Sequence, residues 1–272
     1  MTRHVMEMLG MSKVTIEDGK VIDVTEPKVK YCLLFKKHRG IDELNCESVR
    51  KNAEFRIERF GMCNDNRDTR MKDFLSFGVS EMLSLALTEH LIDAAVIAAD
   101  GCGTVVLEDP EIVQGMGGRI SGIIETEPIQ KVVDDIGAER LLDPKTAKID
   151  QFEGVAKAYH MHYHTIAVTV ANAKDAQEIR DCFGMTTVII AVHTTGISEK
   201  DAEILFDTCD IITSCASKHI REIAKGRALL QAGTKVPVYA ASEMGAKIIK
   251  AKLDQLGREP DTGLDESPEP ML

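Results

Sequence analysis

From residue 94 onward, short β-branched or alanine-rich runs alternate with helix-like stretches, and this alternation most narrows the folds open to the chain. Residues 166–170 read as a strand followed by a helix over 175–181, and 188–192 as a strand followed by a helix over 199–208. Two further units are read at 211–213, with a helix from Lys218, and at 236–239, with a helix over 243–256. Residues 94–98 add a buried strand and 103–107 another. Parallel strands need a long crossover connection, usually a helix. The pattern therefore predicts an α/β fold, a mostly parallel sheet with crossover helices.

The first 91 residues have a different texture. Asp18-Gly19 stands between Val14, Ile16 and Val21, Ile22, which predicts a β-hairpin over 12–24. Helical periodicity follows over 47–60, closed by Gly61, and a more apolar helix is read over 77–90. The expected organisation is an N-terminal α+β portion over 1–91, an α/β ligand-binding domain over 92–256, and a disordered acidic tail over 257–272. Asp109-Pro110 and Asp143-Pro144 each read as a cap followed by a first-turn proline, so short helices or turns are expected there. The glycine-rich run 115–119 reads as a flexible loop.

Composition excludes several function classes. With 33 Lys and Arg against 44 Asp and Glu the formal charge is −11, so no overall field draws the chain to nucleic acid or an anionic membrane. The chain has no Trp and only 4% aromatic residues, too few rings for a base-stacking platform. No apolar run approaches a membrane span and the first residues lack a secretion signal, so a cytoplasmic protein is expected. Seven scattered Cys, an odd number, fit free thiols in a reducing compartment rather than a disulfide framework.

In a parallel sheet, ligands sit beyond the carboxyl ends of the strands, where helix N-termini offer free N–H groups. The candidates for a small-molecule ligand are Asp100 and Thr104 around the first strand end, and His193, Thr194, Thr195 and Gly196 after the 188–192 strand. Cys215 and Ser217 follow the 211–213 strand, and Asn172 and Ser242 hold equivalent places. Helix capping alone explains most such Ser and Asn residues, with Ser198 and Asp201 imitating a capping box. Arg119 in the glycine run is placed to grip an anion. Neither a dinucleotide fingerprint nor a phosphate loop is present.

Three thiols stand out. Cys215 lies between a strand end and a helix start, where the helix field lowers a thiol pKa; with His193 at the neighbouring strand end it could act as a nucleophile. Asp100 or His193 would serve as acid or base. The plainer reading is a small buried Cys and a hydrogen-bonded core His. Cys32 and Cys63 fall in loop-like segments and, with Cys215, could hold an iron–sulfur cluster with an open iron, Cys102 being a substitute ligand. No local CxxC run supports this, and unrelated core thiols are the alternative. His160, His162 and His164 alternate in a segment read as a solvated turn.

Several runs together resemble the methanogenesis marker protein 8 family: Tyr31-Cys32-Leu33-Leu34-Phe35, Gly61-Met62-Cys63, the stretch from Arg70 to Glu81, Gly101-Cys102-Gly103-Thr104-Val105-Val106, Leu142-Asp143-Pro144 through Asp150, Ala191-Val192-His193-Thr194-Thr195-Gly196-Ile197-Ser198 and Cys215-Ala216-Ser217-Lys218. The similarity runs from Val5 to Leu253. The 257–272 tail falls outside it, and Cys46, Cys102 and Cys182 are peculiar to this sequence. The resemblance implies a cytoplasmic protein of methanogenic archaea, tied to methane formation or to making its cofactors and enzymes, and it implies no particular reaction. The leading expectation is thus an accessory enzyme of cofactor or metalloenzyme maturation. The alternative is a non-catalytic assembly or regulatory factor whose acidic tail engages methyl-coenzyme M reductase or its activation machinery.

Overall fold

The computed structural model describes residues 2–72, 77–118 and 122–272. The chain begins with β1 (Arg3–Glu7), β2 (Lys13–Glu17) and β3 (Lys20–Val24). β2 and β3 are the expected hairpin, and both turn residues, Asp18 and Gly19, take the positive φ (46° and 71°) that a two-residue turn matched to strand twist requires. Helices α1 (Leu33–Arg39), α2 (Cys46–Phe60) and α3 (Val79–Thr88) follow. Asn45 and Ser48 cap α2 reciprocally, and α3 is buried continuously from Ser80 to Leu87, as its apolar sequence requires.

β4 (Ala94–Ala99) and β5 (Gly103–Leu107) pair antiparallel. Asp109 caps α4 (Pro110–Gly117), with Pro110 in the first turn, whereas the second Asp-Pro pair makes a turn in which Asp143 accepts from the Lys145 N–H at 2.8 Å. Gly115 to Gly117, expected as part of a flexible loop, instead end α4. A Cβ at Gly115 would collide with the Thr69 carbonyl, so glycine serves close packing there. Then come β6 (Gly122–Thr126), α5 (Gln130–Ile136) and α6 (Gln151–His160).

The βα units predicted from the sequence are β7 (Ile166–Val170) with α7 (Ala173–Phe183), β8 (Thr187–Ala191) with α8 (Glu199–Thr208), and β9 (Ile211–Thr213) with α9 (Lys218–Arg227). Asn172, Ser198 and Ser217 cap the three helices, and Ser198 also bonds the Asp201 side chain. The chain closes with β10 (Leu230–Ala232), β11 (Val238–Ala240) and α10 (Glu243–Gln255).

β4, β7, β8 and β9 run parallel at the centre of a seven-stranded sheet ordered β10-β11-β9-β8-β7-β4-β5. β11 departs from the expected βα unit: it is reached through the β10 hairpin and pairs antiparallel to β9. Alternate residues of the strands feed two cores. Ala95, Ile97, Val188, Ile190 and Ile211 face α3, α4, α5 and α10, while Val96, Val168, Ile189 and Ile212 face α6, α7, α8 and α9. Each such fully buried aliphatic side chain contributes about 1.5–3 kcal/mol.

A four-stranded antiparallel sheet, β3-β2-β1-β6, forms the second layer system over its own core of Met6, Val14, Ile16, Val49 and Met62. Its fourth strand, β6, comes from beyond residue 92 and pairs with β1, so the sheet itself spans the boundary expected near residue 91.

The acidic segment 257–272, expected to be disordered, lies along the body. Asp261 and Asp265 N–H groups donate to the Gln231 and Thr234 carbonyls, Glu269 exchanges backbone hydrogen bonds with Tyr31, and Pro268 is buried. Backbone pairing, which few apolar residues are needed to make, is what fixes it.

Candidate functional site

The parallel strands end on one side of the sheet, and two of the loops there turn in the same way. His193 and Cys215 each stand two residues beyond a strand, β8 and β9, and both have positive φ (55° and 33°). Side-chain hydroxyls brace these turns. Thr194 donates to the Thr213 carbonyl at 2.6 Å, Thr213 to Ala191 at 3.0 Å, and Ser214 to Pro237 at 3.1 Å. Holding non-glycine residues in the left-handed region costs energy that such bracing must offset.

Despite their matching places, the two residues face different partners. The His193 ring lies flat over Gly122, where a Cβ would come within 3.2 Å of three ring atoms, and its Nδ1 is 3.8 Å from the Glu7 carboxylate. Burial pushes the His193 pKa down and the Glu7 pKa up, the latter opposed by Lys28 and Lys13. Cys215 instead has Arg221 of α9 on its carbonyl and lies within electrostatic reach of Cys32, the residue before α1.

Arg221 is the residue that sequence reasoning missed. It is 5% exposed, one turn into α9 beside the buried Ile220 and Ala224. Its Nη2 donates to the Cys215 carbonyl at 2.6 Å and, at 3.5 Å, to that of Lys235; its Nη1 donates to the Ser267 hydroxyl at 3.2 Å. Among the described residues its Nε has no hydrogen-bond partner and the guanidinium has no carboxylate. The groups whose charge it feels are Tyr239, Cys215 and Cys32. A charged residue set beside the apolar stripe of an otherwise amphipathic helix was the available signal.

Cys215 is exposed as a residue, at the start of the turn that leads into α9. Its pKa is raised, first by burial and then by Cys32, against the opposing effects of Arg221, a hydrogen bond from Thr195 and the Ala216 N–H. The expected lowering by the helix start is therefore outweighed: loss of water around the sulfur costs the thiolate more than nearby positive groups return. Thr195 also accepts from the Ala216 N–H at 3.3 Å, and Ser217 caps α9 by accepting from Ile220. Gly196, at φ 78°, packs beside Met11 and Leu272.

The remaining candidates lie elsewhere or are bound up in the fold. Asp100 is buried in an ion pair with Arg67, at 3.0 Å, and accepts from the Cys63 N–H at 2.7 Å. Thr104 donates to Gln151 at 2.7 Å and accepts from the Asp150 N–H, tying β5 to the start of α6. Cys63 is buried with its Sγ 3.7 Å from Met6 Sδ, and burial holds its thiol pKa well above the usual range. Cys63 is buried against Met6, Asp100 and Arg67, Cys32 packs on the edge of the same core, and Cys215 stands beyond the end of β9 with Arg221 on its carbonyl. Among the described residues, no three His, Cys, Asp or Glu side chains gather as a metal site. Arg119 lies outside the described residues. Ser242 caps α10 and donates to Asp210 at 2.6 Å, at the opposite end of the sheet, because β11 runs antiparallel to β9.

A polar recess of about 420 Å³ lined by Arg70, Glu108, Asp109, Asp135 and Arg140 also lies away from the strand carboxyl ends, below β5. Its two arginines are already paired, Arg70 with Asp109 and Arg140 with Glu108, so it offers little free charge to a ligand.

The fold and site define a mixed α/β protein with an exposed thiol beyond a parallel strand and, beside it, a buried arginine that has no carboxylate partner among the described residues. The chain belongs to the family described as "Uncharacterized protein conserved in archaea (DUF2099)", which it matches over residues 4–254. It is similar to an uncharacterised protein of Methanocaldococcus jannaschii, 45% identical over 263 residues that cover 95% of this chain and 93% of the relative. No solved structure matches it. Among the described residues no helix is long and apolar enough to cross a membrane.

Proposed function

We propose that this chain is a cytoplasmic accessory enzyme of methanogenic archaea, acting in cofactor or metalloenzyme maturation through the thiol of Cys215. The observation that carries the chemistry is Arg221, a cation only 5% exposed, with no carboxylate partner among the described residues and its Nη2 on the Cys215 carbonyl at 2.6 Å. A guanidinium so placed stabilises negative charge on sulfur. In this reading Cys215 is the nucleophile, Arg221 and the Thr195 hydroxyl stabilise its thiolate, and Cys32 is the neighbouring second thiol. Asp100, locked to Arg67, is structural; His193 with Glu7 is the proton-handling pair nearest the strand ends.

The biological setting rests on the methanogen relative and on the resemblance to the methanogenesis marker protein 8 family. The alternative reading is a non-catalytic assembly or regulatory factor that binds methyl-coenzyme M reductase or its activation machinery. The acidic segment 257–272 is engaged with its own body, which favours the enzyme over a factor that holds a partner by a free tail.

The test is alkylation of the folded, anaerobically purified protein with iodoacetamide, mapped by mass spectrometry. Cys215 should react before unfolding, about tenfold faster per pH unit until the pH reaches its raised pKa, and Arg221→Gln should slow it several-fold at fixed pH. A Cys215 that stays inert until the protein is denatured would sink this reading.

A further inference from the structure

Segment 266–272 crosses the thiol site as a strap. Glu269 pairs with Tyr31 through its N–H (3.1 Å) and accepts from the Tyr31 and Lys30 N–H groups (3.0 and 2.6 Å), which places the strap against the residue preceding Cys32. Ser267 supplies the hydroxyl that Arg221 Nη1 reaches. Leu272 then fits between the two strand-end loops: its N–H donates to the Ala216 carbonyl at 2.9 Å and its carbonyl accepts from the Lys218 N–H, in the first turn of α9, at 2.8 Å.

Among the described residues, the acceptors of Arg221 are neutral, two carbonyls and one hydroxyl, and its Nε has none. Burying a guanidinium without a counter-charge is costly, and the usual compensation is a carboxylate or phosphate gripped by the planar fork. The Lys218 N–H, at the positive end of α9, is taken by the Leu272 oxygen. Two anion donors, one side chain and one backbone, therefore lie beside Cys215, and the strap occupies both: the Ser267 hydroxyl meets Arg221 and the Leu272 oxygen meets the Lys218 N–H.

We propose that Arg221 and the Lys218 N–H form a subsite for an oxyanion group of the substrate, a carboxylate or phosphate, and that the strap 266–272 is a displaceable cover that closes this subsite when no anion is bound. The inference deepens the thiol reading, on which it rests for what happens next: a substrate anchored by its oxyanion presents its electrophilic atom to the Cys215 sulfur.

The experiment uses the full chain in wild-type form and with Ser267→Ala/Glu269→Pro, which removes the Arg221 acceptor and the strap's N–H to Tyr31. Inorganic phosphate is titrated against chloride at equal ionic strength and followed calorimetrically. The loosened protein should bind phosphate at least tenfold tighter than wild type, and adding Arg221→Gln should abolish the gain. Equal binding in wild type and loosened protein, or a gain that survives Arg221→Gln, overturns the proposal. If Arg221→Gln does not fold, absence of any gain on loosening overturns it alone.

A second arm separates the two readings. Iodoacetate and iodoacetamide differ mainly in charge, and either forms a thioether as the sulfur displaces iodide. Loosening the strap should raise the iodoacetate-to-iodoacetamide rate ratio at Cys215 several-fold. Phosphate binding with a Cys215 inert to both reagents retains the subsite and removes the nucleophile; a reactive Cys215 without phosphate binding does the reverse.

Discussion

Arg67 and Asp100 form an ion pair in which neither side chain has any solvent exposure, with Arg67 Nε 3.1 and 3.0 Å from the two carboxylate oxygens. The pair knots three regions. Arg67 also donates to the carbonyls of Asp68, Gly115 and Met116, and Asp100 takes the Cys63 N–H. Removing one partner strands a buried charge, so Asp100→Asn or Arg67→Met should cost about 3–5 kcal/mol of unfolding free energy. Arg67→Met/Asp100→Leu should recover part of that, not all, because the backbone groups stay unpartnered. Urea denaturation of the three variants checks this; a single variant as stable as wild type contradicts the structural role given to Asp100.

Stability should fall as pH drops through the histidine range. His4 is buried, its Nδ1 2.7 Å from the Thr126 hydroxyl, and burial lowers its pKa below 6.5; His193 is lowered for the same reason. The unfolded chain then binds protons near pH 6.5 that the folded chain refuses, so unfolding takes up protons and stability declines with falling pH in that window. Glu7, with its pKa raised above 4.5, has the opposite sign in a lower window, where the folded form holds the extra proton. His4→Gln should flatten the slope of Tm between pH 7.5 and 5.5 whatever its effect on the level. An unchanged slope removes His4 as a contributor.

Much of this fold was legible because its signals are local. The hairpin at Asp18-Gly19, the caps at Asp109, Asn172, Ser198 and Ser217, and the β7 to α9 alternation depend on residues within a few positions of each other. What the sequence concealed was long-range. β6 joins β1 across more than a hundred residues, and β11 turns antiparallel only because the short β10 strand precedes it. The candidate site shows the same division: Cys215, Thr195 and Gly196 were found from their place after strands, while the approach of Cys32, Arg221 and segment 266–272 depends on tertiary packing. His193 and Cys215 looked like a couple by position, yet the neighbour of His193 is Glu7 from the other sheet.

The seven thiols should divide by environment. Cys63, Cys102 and Cys209 are buried, and burial raises all three, Cys209 to about 12. Cys32, Cys46, Cys182 and Cys215 have at least partial access, though a hydrogen bond to Glu26 holds Cys46 as the thiol. At pH 8 a maleimide should label Cys182 first and leave the three buried thiols unlabelled until urea unfolds the chain. Early labelling of Cys63 would show that the core around Met6 opens without global unfolding.

Two glycines in helices should respond to alanine with opposite signs. Gly245, in the first turn of α10, sits so close to β9 that a Cβ would overlap the Asp210 carbonyl, which is backbone and cannot swing aside. Gly245→Ala must push α10 off the sheet and should cost about 2–3 kcal/mol. Gly226, near the end of α9, has nothing within 4 Å of a Cβ position and is exposed. There alanine limits the freedom of the unfolded chain and favours the helix, so Gly226→Ala should gain about 0.5–1 kcal/mol. Thermal unfolding at one pH separates the two, with about 2–4 °C expected per kcal/mol in a domain of this size. Because α9 also carries Arg221, a stabilising Gly226→Ala that leaves Cys215 alkylation unchanged would show that the thiol site depends on the position of the helix rather than on its fraying.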